Sequence, residues 1–293
     1  MSAVAVSATP ALVRAVRPRQ WVKNVLVLVA PAAAGVIFAP RAGIAVLVAV
    51  AAFSLAASGT YLVNDVVDVA ADRLHPTKCR RPVACGDLSV RAATVCALVL
   101  LGAALVVAAL VAWQLLVVIA VYEGVQLWYC LGMKNEPVVE LVSVASGFLL
   151  RGIAGGAATH VALSQWFLIA VGSGALFMAA GKRYAELRLA QDTGLRVRPV
   201  LQRYTQSYLR FVWTLSAGAL VTTYALWAFT IRQSTGNEWS VVSIIPFLLA
   251  VLRYAVGVDS GDAGEPEEIV MHDRMLTLFA AIWSACLLGS VYL

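Results

Sequence analysis

Three aspartates lie at helical spacing in the stretch from Asn64 to Asp72, which follows an almost uncharged run over 44–63. On a helix, Asp65, Asp68 and Asp72 fall within about 60° of one another, so one face carries three carboxylates. Such a face repels itself unless a cation lies between the carboxylates. A hard divalent cation such as Mg²⁺ binds through one or two carboxylates and completes its coordination with water and phosphate oxygens. The spacing therefore predicts that the three aspartates are catalytic and bind Mg²⁺. The alternative is a solvated helix end with local ion pairs.

A basic segment follows the aspartates, between Pro76 and Pro82. Proline on both sides indicates a loop rather than a continued helix, and such a loop can fold back over the acids. Lys78 and Arg80 are predicted to bind the oxygens of a diphosphate, because cations form strong hydrogen bonds with phosphate groups. The alternative is charge that serves only membrane topology.

Two further polar stretches, WYCLGMKNE and GKRYAEL, end apolar segments. In the first, Tyr129 and Lys134 are predicted to bind a phosphate oxygen, unless they are an interfacial aromatic ring and a topology charge. In the second, Lys182 and Arg183 are predicted to bind a second phosphate group, and Glu186 to reach a metal ion or a sugar hydroxyl. Lys182 and Glu186 are also spaced to form a simple ion pair along a helix.

Arg151 lies well inside an apolar segment. An arginine within the membrane is rare and faces a cavity or a partner. Two interpretations are open: Arg151 lines a lipid cavity, or it is a structural tether to backbone carbonyls.

The composition is that of a membrane protein. Of 293 residues, 61% are hydrophobic and 13% charged, whereas a soluble domain carries about 25% charged residues. Apolar runs long enough to cross a bilayer recur along the whole length. We therefore predict an all-α integral membrane protein with a single transmembrane domain over residues 1–293. The five cysteines are odd in number and scattered, so neither a disulfide nor a metal cluster is expected.

Hydropathy predicts nine transmembrane helices, preceded by an interfacial amphipathic helix over 10–24. Basic residues gather at the N-terminus and in the predicted loops 64–91 and 182–208, while the other side holds only Arg41 and Arg232. The positive-inside rule therefore places the N-terminus and these loops in the cytoplasm, where the loops would cap an active-site mouth of a multi-pass protein of the cell membrane. The predicted spans are 25–39, 44–63, 92–112, 114–132, 138–158, 164–181, 209–230, 239–257 and 275–293.

The stretch NDVVDVAAD fits the N-D-x-x-D-x-x-x-D motif of the UbiA superfamily of intramembrane prenyltransferases, which the chain resembles over nearly its whole length. Members that use prenyl diphosphates carry a second aspartate-rich motif after the sixth helix, where this chain reads GKRYAEL. Together with RPRQWVKN, YLVNDVVDVAADRLHPTK and FLLRGIAGG, this departure resembles the branch of the superfamily that transfers phosphoribose.

This resemblance implies a Mg²⁺-dependent phosphoribosyltransferase. The donor would be 5-phosphoribosyl 1-diphosphate (PRPP) and the acceptor a polyprenyl (decaprenyl) phosphate in the bilayer. Diphosphate would leave, and the lipid product would serve cell-wall arabinan (arabinogalactan) synthesis. No nucleic-acid partner is expected, and homo-oligomerisation stays open. The residues implied to bind PRPP are Lys23, Asn64, Lys78, Arg80, Tyr129, Lys134, Lys182, Arg183, Tyr184 and Glu186.

Two other functions are compatible with parts of the sequence. An aromatic prenyltransferase using a prenyl diphosphate shares the first motif but predicts a second aspartate cluster that is missing here. A transporter favours ionisable residues near the middle of the bilayer, in broken helices. Here the acids gather at one predicted mouth, and among the candidates only Arg151 lies deep.

Overall fold

Long helices account for most of the chain, because a bilayer offers no water to satisfy backbone N–H and C=O groups outside a helix. The structure, a computed structural model, describes residues 10–193, 199–260 and 273–292. The α-helices are α1 (Ala11–Val16), α2 (Val29–Ala33), α3 (Pro40–Val67), α4 (Val69–Arg73), α5 (Pro82–Cys85), α6 (Val90–Val111), α7 (Trp113–Cys130), α8 (Val139–Thr159), α9 (Gln165–Thr193), α10 (Gln206–Thr235), α11 (Trp239–Val242), α12 (Ile244–Ser260) and α13 (Arg274–Tyr292). Short 3-10 helices cover Pro18–Leu28, Lys78–Arg80, Met133–Asn135 and Pro199–Arg203.

The prediction of an all-α, multi-span membrane protein is confirmed, whereas the count of nine spans is not. Within the described residues, seven helical segments are long and apolar enough to cross a membrane: α3, α6, α7, α8, α10, the α11–α12 segment and α13. The predicted first span, 25–39, is instead the end of the 3-10 helix Pro18–Leu28 followed by α2. Gly35 stops that segment in the left-handed conformation (φ 71°), which favours glycine because it lacks a Cβ atom.

The predicted interfacial helix over 10–24 is broken at Arg17. Helix α1 ends at Val16, and Arg17 adopts a left-handed conformation (φ 53°, ψ 63°). Pro18 follows, and a proline disfavours the right-handed helical conformation of the residue before it. Beyond this break Asn24 is fully buried whereas Trp21 and Val22 stay exposed, so the second half of the predicted helix packs one face against the bundle.

The two predicted cytoplasmic loops are more helical than expected. Asn64 belongs to the last turn of α3, and α4, the Lys78–Arg80 turn and α5 follow it within 64–91. In 182–208, α9 continues to Thr193, and residues 194–198 lie outside the described residues. The charged residues from Lys182 to Glu186 therefore have fixed helical positions.

Small residues let the helices approach closely in the half of the bundle that contains α3, α6, α7 and α8. Alanines of α3 and α6 pack around the buried Phe53, with Leu115 and Ile119 of α7. The closest approach is between α8 and the Pro18–Leu28 helix. There, a Cβ atom added to Gly155 would lie 2.0 Å from the carbonyl oxygen of Val27, so only glycine fits.

A second core joins α9, α10 and α12. Tyr184 of α9 stacks on Trp213 of α10 with 5.8 Å between ring centroids, and Phe177 stacks on the same indole at 5.8 Å. Tyr254 of α12 contacts Phe177 from the other side, and Leu209 completes the cluster.

Candidate active site

The aspartate motif is bent at Asp68. Helix α3 ends there (φ −90°, ψ 4°), and α4 begins at the next residue. The Asp68 N–H donates to the carbonyl oxygen of Asn64 (2.9 Å), and the Asp72 N–H donates to that of Asp68 (2.8 Å). The hydrogen bonds therefore run continuously through the break, and the three carboxylates stay at one end of α3.

Asp65 and Asp72 are both almost fully buried, and both bind the same nitrogen of Arg81. The Arg81 Nη1 donates to Asp65 Oδ1 at 3.2 Å and to Asp72 Oδ2 at 2.7 Å. The two carboxylates are thus neighbours, with one positive charge between them. This is the position at which the sequence predicted a cation.

Arg17 supplies a second charge to the same carboxylate. Its Nη2 donates to Asp65 Oδ1 at 2.5 Å, and its guanidinium lies 5.0 Å from the ring centroid of Tyr61. Neither Arg17 nor Arg81 was predicted as a site residue. Both immediately precede a proline, so each stands at the entry to a new helical segment, with its side chain free to turn towards α3. The Arg-Pro dipeptide is a feature that they share, but it also occurs at Arg198-Pro199 and does not by itself indicate a contact with Asp65.

Lys134 contacts the aspartate motif from the loop that follows α7. It lies in the Met133–Asn135 turn after α7, and its Nζ donates to Asp68 Oδ1. Both side chains stay partly exposed, so this pair lies at the rim of the site, whereas Asp65 and Asp72 lie beneath it. Lys134 is thus a predicted phosphate-binding cation that contacts the aspartate motif directly.

The donor atoms suit a hard divalent cation, although an arginine neutralises them in this structure. The Oδ2 atom of Asp65 is buried and has no hydrogen-bond partner among the described residues. An unpaired buried carboxylate oxygen is unfavourable, and a metal ion would satisfy it. Within those same residues, no three His, Cys, Asp or Glu side chains converge as a complete ligand set. A cation at this site would therefore need Arg81 to withdraw.

Arg183 is engaged by two acids. Its Nε and Nη2 donate to the two carboxylate oxygens of Glu140 at 2.9 and 3.0 Å, and its Nη1 donates to Glu186 at 3.1 and 3.2 Å. Arg183 and Glu140 are buried. All three guanidinium nitrogens are therefore engaged by carboxylates in this structure, and the binding of a phosphate group by Arg183 stays a prediction. Glu140 itself was missed; its signal is an acid in the first turn of an apolar helix.

Tyr184 packs in the core between helices, and its predicted contact with substrate stays a prediction. Its side chain is buried, and its hydroxyl accepts from Arg210 at 2.6 Å and donates to Asp259 at 3.1 Å. These partners lie on α10 and α12. The hydroxyl therefore joins α9, α10 and α12 at the ends that the sequence predicts to face the cytoplasm.

The remaining predicted ligands lie on several elements and differ in exposure. Lys78 is half-buried in its 3-10 turn and Arg80 is exposed, whereas the next residue, Arg81, bonds to Asp72. Lys23 lies in the Pro18–Leu28 helix with its Nζ 5.9 Å from the ring centroid of Phe148. The others are Asn64 in the last turn of α3, Tyr129 in the last turn of α7 and the half-buried Lys182 of α9.

Arg151 is a tether within the bundle. Its Nε donates to Asn24 Oδ1 at 2.8 Å, and its Nη1 donates to the carbonyl oxygen of Gly147 at 2.7 Å. The guanidinium also lies 5.4 and 5.2 Å from the ring centroids of Phe53 and Tyr122. Of the two interpretations of Arg151, these contacts favour the structural one, because they hold the Pro18–Leu28 helix against α8.

Similar proteins share both the sequence and the fold. The chain is similar to two proteins named decaprenyl-phosphate phosphoribosyltransferase. The one from Mycobacterium tuberculosis is 53% identical, over 94% of this chain and 92% of that protein. The one from Corynebacterium glutamicum is 48% identical, over 96% of this chain and 87% of that protein. A solved structure of a UbiA homolog from Archaeoglobus fulgidus bound to GPP and Mg²⁺ superposes with a TM-score of 0.70. The two sequences are 18% identical, and the superposition covers 97% of this chain and 100% of the solved chain.

The same relationship is seen at the level of the whole family. A sequence model described as the UbiA prenyltransferase family matches residues 25–286, which include every aspartate and cation of the site except Arg17 and Lys23. The chain belongs to the UbiA prenyltransferase family.

Proposed function

We propose that this protein transfers 5-phosphoribose from PRPP to a polyprenyl phosphate, with decaprenyl phosphate as the acceptor, and releases diphosphate. The observation that carries the proposal is the identity of 48 to 53% to proteins named decaprenyl-phosphate phosphoribosyltransferase, over nearly the full length of the chain. The product, a polyprenyl-phosphoryl 5-phosphoribose, would serve cell-wall arabinan synthesis.

Asp65, Asp68 and Asp72, with Asn64 beside them, would hold Mg²⁺. When bound, Mg²⁺ neutralises charge that develops on a departing diphosphate. Two observations support this assignment: Asp65 Oδ2 has no hydrogen-bond partner in the described ranges, and Arg81 already places a positive charge between Asp65 and Asp72. The solved family member with Mg²⁺ has the same fold.

The cations around the aspartates would then bind the donor. Arg81, Arg17 and Lys134 now neutralise the carboxylates. If a bound Mg²⁺ neutralised the carboxylates instead, these side chains would be free to donate to diphosphate oxygens, because charged hydrogen bonds to phosphate are strong. Stabilising the leaving group in this way is electrostatic catalysis by fixed charges.

The 5-phosphate of the donor requires its own ligands. Lys182 is half-buried on the turn of α9 that also carries Arg183, and it is the proposed ligand there. Arg183 would support it indirectly, because its guanidinium is engaged by Glu140 and Glu186. Lys23, Lys78 and Tyr129 are the other proposed PRPP contacts, whereas the exposed Arg80 would contribute only a weak, screened interaction.

The acceptor needs no strong base, because a polyprenyl phosphate is already an anion. Its phosphate oxygen would attack the anomeric carbon from the face opposite the diphosphate as the ribose approaches an oxocarbenium-like state. Inversion at that carbon is the expected stereochemical outcome.

The site would face the cytoplasm, with the lipid tail in the bundle. The ion pairs Asp68–Lys134 and Glu140–Arg183 bring the ends of α3, α7, α8 and α9 together, and these ends carry the basic residues. The positive-inside rule assigns such an end to the cytoplasm. Arg80→Cys, in a variant whose five native cysteines are replaced, can be alkylated with a membrane-impermeant maleimide; labelling in inverted vesicles but not in intact cells supports this orientation, and the reverse contradicts it.

The proposed activity is tested by two assays on purified, detergent-solubilised protein. One contains radiolabelled PRPP, decaprenyl phosphate and Mg²⁺; the other contains a labelled prenyl diphosphate and an aromatic acceptor. Label that enters lipid only in the first assay, and is lost with EDTA, supports phosphoribosyl transfer. Label transferred only in the second would reassign the protein to aromatic prenylation.

A further inference from the structure

The loop between α7 and α8, residues 131–138, contains an unusual backbone conformation. Val138 has φ 67° and ψ −51°, and the Val139 N–H donates to the carbonyl oxygen of Pro137 at 2.8 Å. This is a γ-turn of the rare, strained type, centred on a β-branched residue. Such a conformation persists only where surrounding contacts impose it, and it is concentrated at functional sites.

Two adjacent residues impose this conformation from more than sixty positions away in the sequence. The hydroxyl of Tyr204 accepts from the Val138 N–H at 2.7 Å. The Nη1 of Arg203 donates to the carbonyl oxygen of Asn135 and to Glu136 Oε1, both at 3.1 Å. Together these contacts span the end of the loop that joins α8.

Tyr204 is itself rigidly held. It is buried, and its ring stacks on Tyr208 with 5.7 Å between centroids. The next residue, Thr205, caps α10 by accepting from the Tyr208 N–H at 3.2 Å, which fixes the backbone beside it. Burial raises the pKa of Tyr204, so the phenol keeps its proton at neutral pH.

The clamped loop carries Lys134, which lies one residue before the Asn135 carbonyl that Arg203 binds. Lys134 is also the cation that pairs with Asp68. We infer that Arg203 and Tyr204 are positioning residues that hold the α7–α8 loop so that Lys134 reaches Asp68. Any consequence for PRPP rests on the proposed function, whereas the effect on Lys134 does not.

The first test measures the position of Lys134 without any substrate. The chain has four lysines, Lys23, Lys78, Lys134 and Lys182, so acylation of each by a water-soluble reagent can be followed by mass spectrometry. In Tyr204→Phe, labelling of Lys134 should rise severalfold relative to the other three. The matched control is Tyr208→Phe, whose lost hydroxyl makes no hydrogen bond within the described part of the chain; it should leave the pattern unchanged. Unchanged Lys134 labelling in Tyr204→Phe would overturn the inference.

The second test uses the transfer reaction. Tyr204→Phe should lower kcat/KM for PRPP about tenfold, the usual effect of losing a buried hydrogen bond. In a Lys134→Met background the same substitution should change kcat/KM for PRPP by less than about twofold, because the side chain that Tyr204 positions is then absent. An equal loss in both backgrounds would show that Tyr204 acts on the fold as a whole.

Arg203→Met keeps the inference testable if Tyr204→Phe does not fold. It removes the other half of the clamp and should also raise Lys134 labelling. If Lys134 labelling rises in these variants but no phosphoribose is transferred by the parent protein, the positioning role stands and the proposed activity fails.

Discussion

Arg183 and Glu140 form a bidentate ion pair in the interior of the protein, with N–O distances of 2.9 and 3.0 Å. The pair joins α9 to the first turn of α8, and both residues are buried. Removing Glu140 leaves the buried Arg183 with only the more exposed Glu186 as a counter-charge, and breaking a buried pair is strongly destabilising. We therefore expect Glu140→Gln to lower the free energy of unfolding in detergent by on the order of 3 kcal/mol.

An exposed ion pair provides the control for that experiment. Arg232 and Glu238 are bonded at 2.6 Å, but both side chains are about half exposed. Glu238→Gln should leave stability unchanged, because surface pairs contribute little. Equal stability of Glu140→Gln and the parent protein would contradict the structural role of the pair and return Arg183 to the candidate phosphate ligands.

Arg81 and Arg80 are neighbours in sequence but differ in what they contact. Arg81 bonds to Asp65 and Asp72, whereas Arg80 is exposed. Arg81→Ala should lower kcat for phosphoribosyl transfer by about 10²-fold, as is found when a fixed donor to a developing negative charge is removed. Arg80→Ala should change it by less than about threefold, since an exposed charge is screened. The reverse order of effects would favour the sequence-based assignment of Arg80.

Arg81 should also compete with a divalent cation for the two aspartates. With PRPP absent, Arg81→Ala should bind Mn²⁺ several times more tightly than the parent protein, as measured by electron paramagnetic resonance. Asp65→Asn should instead bind it more weakly. Arg73→Ala is the control for lost positive charge, because Arg73 donates only to the carbonyl of Ala84 in the described residues. Weaker Mn²⁺ binding by Arg81→Ala would exclude competition at this site.

The sequence indicates the aspartates of the site but not the residues that bind them. The motif itself could be predicted, because spacing along one helix keeps Asp65, Asp68 and Asp72 at one end. Arg17 could not, since it meets Asp65 only through the helix break before Pro18, 48 positions away. Glu140 likewise gives no local indication of its partner on α9.

The N-terminal region shows the same limit on a larger scale. Residues 10–24 alternate apolar and basic groups, which is typical of an interfacial helix. The structure breaks them at Arg17 and buries Asn24, because Asn24 bonds to Arg151 and to Ser54. Those partners lie 127 and 30 positions away, so the alternation could not indicate them.

The tether formed by Arg151 supplies the last prediction. Because it binds Asn24 and the Gly147 carbonyl in the interior, Arg151→Met should lower the midpoint of thermal unfolding in detergent, and Asn24→Ala should do the same. The two changes should be non-additive, since they remove one shared hydrogen bond. The KM for PRPP should stay within about twofold in whatever protein remains folded, because neither side chain bonds to the aspartates. Additive losses, or a large rise in KM at unchanged stability, would favour a role for Arg151 in binding substrate instead.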